Sequence, residues 1–345
     1  MTPRAVGRAA ASAAALRGRV LCHDVRGADG RVAVAKGTLI DDAAAAALLA
    51  APWPELHLLD LEPDDLLQEP AGGRLARAVA GDGVAVAGCT AGQWTLEATR
   101  RGLLRVDVDA LEGVNAIEGM AVFTLFDRQV VDAGDVVARA KVTRLAVGAG
   151  LVSAAEGRAG AARGLVRVLP FRTHRFGGVS AESLDERGRA RFETALAEKV
   201  AWFGSSLVGV RHAGDTAGAA DAIGGLVAEG ADVVVVAGAA ALDPLDPVYL
   251  GLERLGARME RHGLPAHPGT HLWLAWLDGL PILGVPACGM FSQATIVDVV
   301  LPRLLAGERV GSGELAGLGH GGLLTREAAF RFPRYRAAGE RGLLG

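Results

Sequence analysis

The chain has 345 residues, a formal net charge of -3, half its residues hydrophobic and 22% charged. That composition is globular, allows two or three domains, and gives no electrostatic reason to expect nucleic acid as a partner. The three cysteines, Cys22, Cys89 and Cys288, are far apart in sequence and lack CxxC spacing, so neither a zinc knuckle nor a disulfide framework is expected and a reducing cytoplasm fits.

The opening stretch, MTPRAVGRAAASAAALRGRV, has an apolar run that is short and interrupted by Ser12, so it reads as a helix leading into the first strand and not as a signal peptide. Val20–Val25 and Glu55–Leu61 read as strands. Asp41–Ala51, rich in alanine and leucine, reads as a helix, as does Glu69–Ala80. Leu103–Val108, Ala121–Phe126 and Val136–Leu145 are further strands, the last entered by a turn around Gly134. Asp60, Glu62, Asp64 and Asp65 read as a solvated loop. Residues 1–147 are thus expected to form a smaller, strand-rich α+β region, with the small-residue segment 148–163 as a linker.

From Gly164 strands and helices alternate. Strands are expected at Leu165–Leu169, Leu207–Val210, Asp232–Ala237, Leu272–Leu277 and Pro281–Val285, with helices at Gly188–Phe203, Thr216–Glu229 and Pro247–Leu255. Alternation of this kind predicts an α/β domain over 164–310, a three-layer, mostly parallel sheet whose ligands bind beyond the carboxyl ends of the strands. The longest uncharged run, Gly279–Val297, contains prolines and glycines and is not a membrane span. It reads as strand, tight loop and helix, with Ser292, Gln293 and Thr295 in the first helical turn, where free N–H groups favour an anion. Residues 311–345, glycine-rich and then basic, read as a tail packing on the surface.

Three loops carry the candidate chemistry. Asp215 stands where a helix begins. Asp243 and Asp246 stand three apart in the stiff Asp-Pro-Leu-Asp-Pro sequence, a spacing that suits a hydrated Mg²⁺ or, equally, a helix cap with Pro247 at the first helical position. Pro268-Gly269, between His267 and His271, precludes a helical metal pair and reads as a turn that brings backbone close to a ligand or to a neighbouring loop. Cys288 has no histidine base adjacent in sequence and reads as a small loop residue.

The succession of Asp215, the GADVVVVAG strand, Asp243-Pro244-Leu245-Asp246, Pro268-Gly269 and GVPAC followed by ATIVDVVLPRLLAGER resembles the molybdopterin-binding domain of molybdopterin adenylyltransferases and molybdotransferases. The likeness is greatest to stand-alone prokaryotic molybdopterin-binding proteins, to which GRVLCHDV, VAKGTLI and GLLRVDVDALEGVN near the amino terminus are also similar. The resemblance implies binding of molybdopterin or the molybdenum cofactor, a role in its biosynthesis, storage or delivery to a molybdoenzyme, and homo-oligomers. It implies catalytic or Mg²⁺-binding roles for Asp243 and Asp246, and pterin-binding roles for Asp215, Gly238, Pro268, Gly269, Gly284, Pro286, Gly289 and Ser292. The chain departs from the family where paired glycines become Gly238-Ala239, where Thr-Pro becomes Val248-Tyr249, and where a glycine becomes Ala287. Each lost glycine adds a Cβ where backbone would meet phosphate, so the alternatives to cofactor binding are a degenerate member that acts as a protein-interaction module, or a Mg²⁺-dependent enzyme of molybdate insertion or adenylyl transfer that uses Asp243 and Asp246. A cysteine cluster that relatives carry after Gly319-His320-Gly321-Gly322 has no counterpart in the sequence.

Overall fold

A computed structural model describes the chain except for residues 162, 182–184, 239–242, 286–294 and 336–345. It divides into two compact units, one of Met1–Arg100, Leu104–Asp127 and Asp132–Val168, the other of Arg101–Leu103, Arg128–Val131 and Leu169–Gly345.

The first unit is built on antiparallel ladders. Thr2–Gly7 and Arg19–Leu21 flank Glu55–Asp60. The amino-terminal segment expected to be helical is therefore extended over Thr2–Gly7, with only the short helical turns Arg8–Ala10 and Ala13–Leu16 following. Asp60 joins the ladder's charges: Arg4 and Arg19 bond its two carboxylate oxygens and hold its carboxyl below the usual range. Asp65 accepts from the backbone N–H of Glu62 at 2.8 Å, so Asp60 and Asp65 are held in place and not merely solvated. A second sheet runs in the order Met120–Thr124, Val136–Val142, Gln93–Ala98, Val84–Thr90, with the helix Gln68–Val79 packed on it. The segment 148–163 is not a linker but holds the helix Ala149–Ala161. Val152, Ala155 and Ala159 recur at helical spacing and are fully buried, and Glu156 pairs with Arg74.

The second unit is a six-stranded mixed sheet. Its strands are β1 (Arg175–Ser180), β2 (Ser206–His212), β3 (Val233–Ala237), β4 (Arg258–His262), β5 (Trp273–Leu277) and β6 (Leu280–Val285), in the order β2-β1-β3-β6-β5-β4. The first four in that order are parallel and the last two pairings are antiparallel. Alternation along β3 sets the two cores. Val233, Val235 and Ala237 pack with α1 (Glu186–Trp202) and α4 (Val297–Leu305), whereas Val234 and Val236 pack with α2 (Thr216–Ala228) and α3 (Pro247–Arg254). The interior strand β1 is not visible in the sequence pattern. Its Gly177 and Gly178 let Leu226 of α2 and Leu196 of α1 close on the two faces, where a Cβ would meet them at 3.0 and 2.9 Å.

The segment after α4 is a further correction. Residues 311–335 are not a surface tail: Leu315, Leu318, Leu324 and Phe332 join the core, and the indole of Trp202 donates to the carbonyl of Arg334 at 2.8 Å. Tyr335 donates its hydroxyl to Asp298 at 2.6 Å. Asp298, fully buried in α4, also accepts from the Lys199 ammonium at 2.6 Å and from the backbone N–H of Thr295 at 2.9 Å. A buried carboxylate is tolerated here because an opposite charge and two further donors satisfy it.

Candidate functional site

The parallel strands β1, β2, β3 and β6 end together at Ser180, His212, Ala237 and Val285, and the helix starts that follow face that edge in the chain order of an α/β unit. Asp215 is the N-cap of α2, with Oδ1 accepting from Gly218 N–H at 2.7 Å. Asp246 is the N-cap of α3, with Oδ1 accepting from Val248 N–H at 2.8 Å and Pro247 opening the helix; it is 8% exposed. Asp243 is exposed and folds its Oδ1 back on Leu245 N–H at 2.9 Å, while its carbonyl accepts from Asp246 N–H. Each of the three carboxylates thus gives one oxygen to local backbone, which satisfies free helix or turn donors. Among the described residues no group of three or more His, Cys, Asp or Glu side chains is placed to hold a metal.

Gly238 closes β3 with φ +88°, and its N–H donates to the carbonyl of Val285 at 3.1 Å. Only glycine adopts this backbone readily, so the residue shapes the strand end whether or not a ligand is present. Pro268-Gly269 does make a close approach, but to protein: a Cβ on Gly269 would lie 2.4 Å from Cγ2 of Ile296, just ahead of α4. Gly284 is likewise accounted for by packing. It sits inside β6, opposite Trp273, and its Cβ would fall 1.7 Å from the indole. The glycine makes room for a tryptophan, which is sufficient to account for it without a ligand. Pro286, Gly289 and Ser292, together with Cys288, lie outside the described residues. Thr295 precedes α4 and does not form its first turn; its Oγ1 accepts from Val297 N–H at 3.3 Å.

One residue of this edge escaped the sequence reading. Ser180 ends β1, the strand between β2 and β3, and is 2% exposed. Its carbonyl accepts from Ala213 N–H, but its hydroxyl has no hydrogen-bond partner among the described residues. A buried hydroxyl left unpaired costs about 1–3 kcal/mol, so such groups are uncommon in folded proteins. The residue type gave no signal, since a serine closing a strand is ordinary; only its burial marks it.

Beside this edge, Tyr249 on α3 donates to or accepts from Nε2 of His262 at 2.9 Å and packs edge-on against Trp273. Burial, with a smaller contribution from the Asp246 charge, pushes its hydroxyl up to about 12. It stays protonated at physiological pH and can only be a hydrogen-bonding group.

The unit also has a cavity of about 860 Å³ at the opposite edge, where β3 and β6 begin. Its wall includes Arg172, Arg258 and Arg309, but also Asp232, Asp278 and Glu308. The formal charges balance, so the cavity does not select an anion, and it contains none of the sequence-designated site residues.

No known family pattern matches the chain, and no curated protein matches it. Solved structures supply neighbours. A molybdopterin biosynthesis MoeA protein from Pyrococcus horikosii is 14% identical, over 89% of this chain and 75% of its own, with a TM-score of 0.30. MogA is 18% identical over 39% of this chain and 92% of its own, with a TM-score of 0.25. At these scores the functional reading rests on this chain's own residues.

Proposed function

We propose that this protein binds molybdopterin or the molybdenum cofactor at the carboxyl ends of β1, β2 and β3, and takes part in its biosynthesis, storage or delivery to a molybdoenzyme. In this reading the second unit is a three-layer molybdopterin-binding domain that works within a homo-oligomer. The sequence resemblance motivates the ligand. The observation that carries the site is the buried hydroxyl of Ser180 at the strand end, which has no hydrogen-bond partner among the described residues and suits donation to a phosphate oxygen or a pterin heteroatom. Binding is favoured over catalysis because Asp215, Asp243 and Asp246 each already engage backbone N–H groups.

The test is calorimetric titration of the full chain with molybdopterin and with its adenylylated form, each with and without Mg²⁺ and molybdate. Saturable binding is expected. Ser180→Ala should weaken it about ten- to a hundredfold, the worth of one hydrogen bond to a charged group. Without ligand the same variant should be neutral to stabilising in thermal melting, because it removes a buried hydroxyl that has no partner among the described residues. Equal affinity in the variant would remove Ser180 from the site, and absent binding of every pterin form would remove the function.

A further inference from the structure

The first unit contains a cavity of about 930 Å³, within the size range of small-molecule sites. Several pieces of chain build it. Lys36 comes from the turn after Val32–Val34, Arg77 from the helix Gln68–Val79, Lys141 from the strand Val136–Val142, and Trp94 from the strand Gln93–Ala98. Glu69 is the one carboxylate among the lining residues, which leaves an excess of two positive charges. Lys36 and Lys141 have no side-chain hydrogen bond or ion pair among the described residues. Arg77 acts only at longer range on Glu156, whose carboxylate Arg74 already bonds. Cations left unneutralised around one concave surface repel each other and raise the local concentration of anions.

Two further features add to that field and give it shape. The helix Gln68–Val79 begins at the cavity with Leu67 as N-cap and no side-chain cap, so its positive end lies there, offset in part by the Glu69 carboxylate of its first turn. The indole of Trp94 is held rigidly: it rests against Gly72 and Gly73, where a Cβ would come within 2.9 Å of the ring, and its Nε1 donates to the carbonyl of Glu69 at 3.2 Å. A fixed aromatic ring beside a group of cations is the combination that takes a flat ring carrying phosphate.

We propose that this cavity binds a phosphorylated small molecule with a planar ring, of the nucleoside diphosphate class. Lys36, Arg77 and Lys141 hold the phosphates and Trp94 lies against the ring. The site belongs to the other unit from the strand-end edge and does not depend on the function proposed for that edge.

The probes are adenosine diphosphate and inorganic pyrophosphate, titrated calorimetrically into the full chain at low ionic strength. Saturable binding of the nucleotide is expected, with pyrophosphate weaker. The double variant Lys36→Met/Lys141→Met should weaken both by at least about tenfold without lowering the melting temperature, because neither lysine is paired. Trp94→Phe should weaken the nucleotide and leave pyrophosphate unchanged. Ser180→Ala should alter neither, which separates this site from the strand-end site. No saturable binding of either probe, binding that survives the double lysine variant, or pyrophosphate binding as tightly as the nucleotide would each overturn the proposal; the lysine pair decides it even if Trp94→Phe does not fold.

Discussion

Gly284→Ala separates packing from ligand binding at the residue that sequence reasoning assigned to the pterin pocket. An added Cβ would lie 1.7 Å from Cε2, 2.0 Å from Nε1 and 2.3 Å from Cδ2 of Trp273. Ordinary carbon contacts lie near 3.5–4.0 Å, so the indole must move by roughly 2 Å. It has little room to do so: Trp273 is 1% exposed, pairs with Gly284 across the β5–β6 ladder and packs against Tyr249. Overpacking a core by one methyl costs about 1–3 kcal/mol and occasionally more; with a clash on a rigid bicyclic ring, about 3 kcal/mol is expected. Urea unfolding at constant m-value measures it. A double-mutant cycle makes the cause specific. Trp273→Ala alone should cost about 3–5 kcal/mol. Gly284→Ala on that background should cost almost nothing, giving a coupling of roughly 3 kcal/mol. A Gly284→Ala protein within about 0.5 kcal/mol of wild type that has lost pterin affinity would refute the packing account and restore the glycine to the ligand site.

Asp298→Asn should cost about 3–5 kcal/mol, because it leaves the Lys199 ammonium mostly buried without a counter-charge; adding Lys199→Met should recover much of that loss in thermal melting. The chain has two tyrosines, and both are shifted upward, Tyr249 by burial and then by Asp246, Tyr335 well above the ordinary value by burial and then by Asp298. Ultraviolet titration should therefore show no phenolate step near pH 10 in the folded protein. Above about pH 10 the native state holds protons that the unfolded chain releases, so the tyrosines' contribution to stability should be constant below that pH and fall as pH rises beyond it; a phenolate step near pH 10 without unfolding would contradict both environments.

The alternating α/β pattern was legible where the residues obey the usual rules. Val233–Ala237 is a continuous apolar run, and Asp215 and Asp246 announce the helices they cap. It was illegible where packing overrides propensity. Gly177-Gly178 lowers the strand signal of β1, yet that strand lies inside the sheet, where small residues admit helices to both of its faces. β4, with the sequence Arg-Met-Glu-Arg-His, is a charged edge strand, which polarity hides and edge position explains. Ala149–Ala161 was read as a linker from its glycines and alanines, although Val152, Ala155 and Ala159 mark a buried stripe that needs no bulky residues. In the candidate site the acids were found by type and spacing. Ser180 could not be, because an unsatisfied hydroxyl is a property of tertiary burial.

The same carboxylates decide how an anionic ligand can approach the strand ends. Asp215 and Asp246 sit on helix starts that would otherwise attract phosphate, so their charges oppose it at close range. A phosphate held by Ser180 must therefore tolerate this repulsion or bring a cation that bridges it to the acids. Asp243 is exposed and uses Oδ1 on Leu245, which leaves its other oxygen to meet a hydrated Mg²⁺. If the cation bridges, molybdopterin affinity should rise with Mg²⁺, and Asp243→Asn/Asp246→Asn should abolish the increment. The same change should leave Mg²⁺-free binding equal or tighter, since asparagine retains the helix cap while removing the charge. Loss of Mg²⁺-free binding in that double variant, with the fold intact, would mean that the acids touch the ligand directly and that the bridging account is wrong.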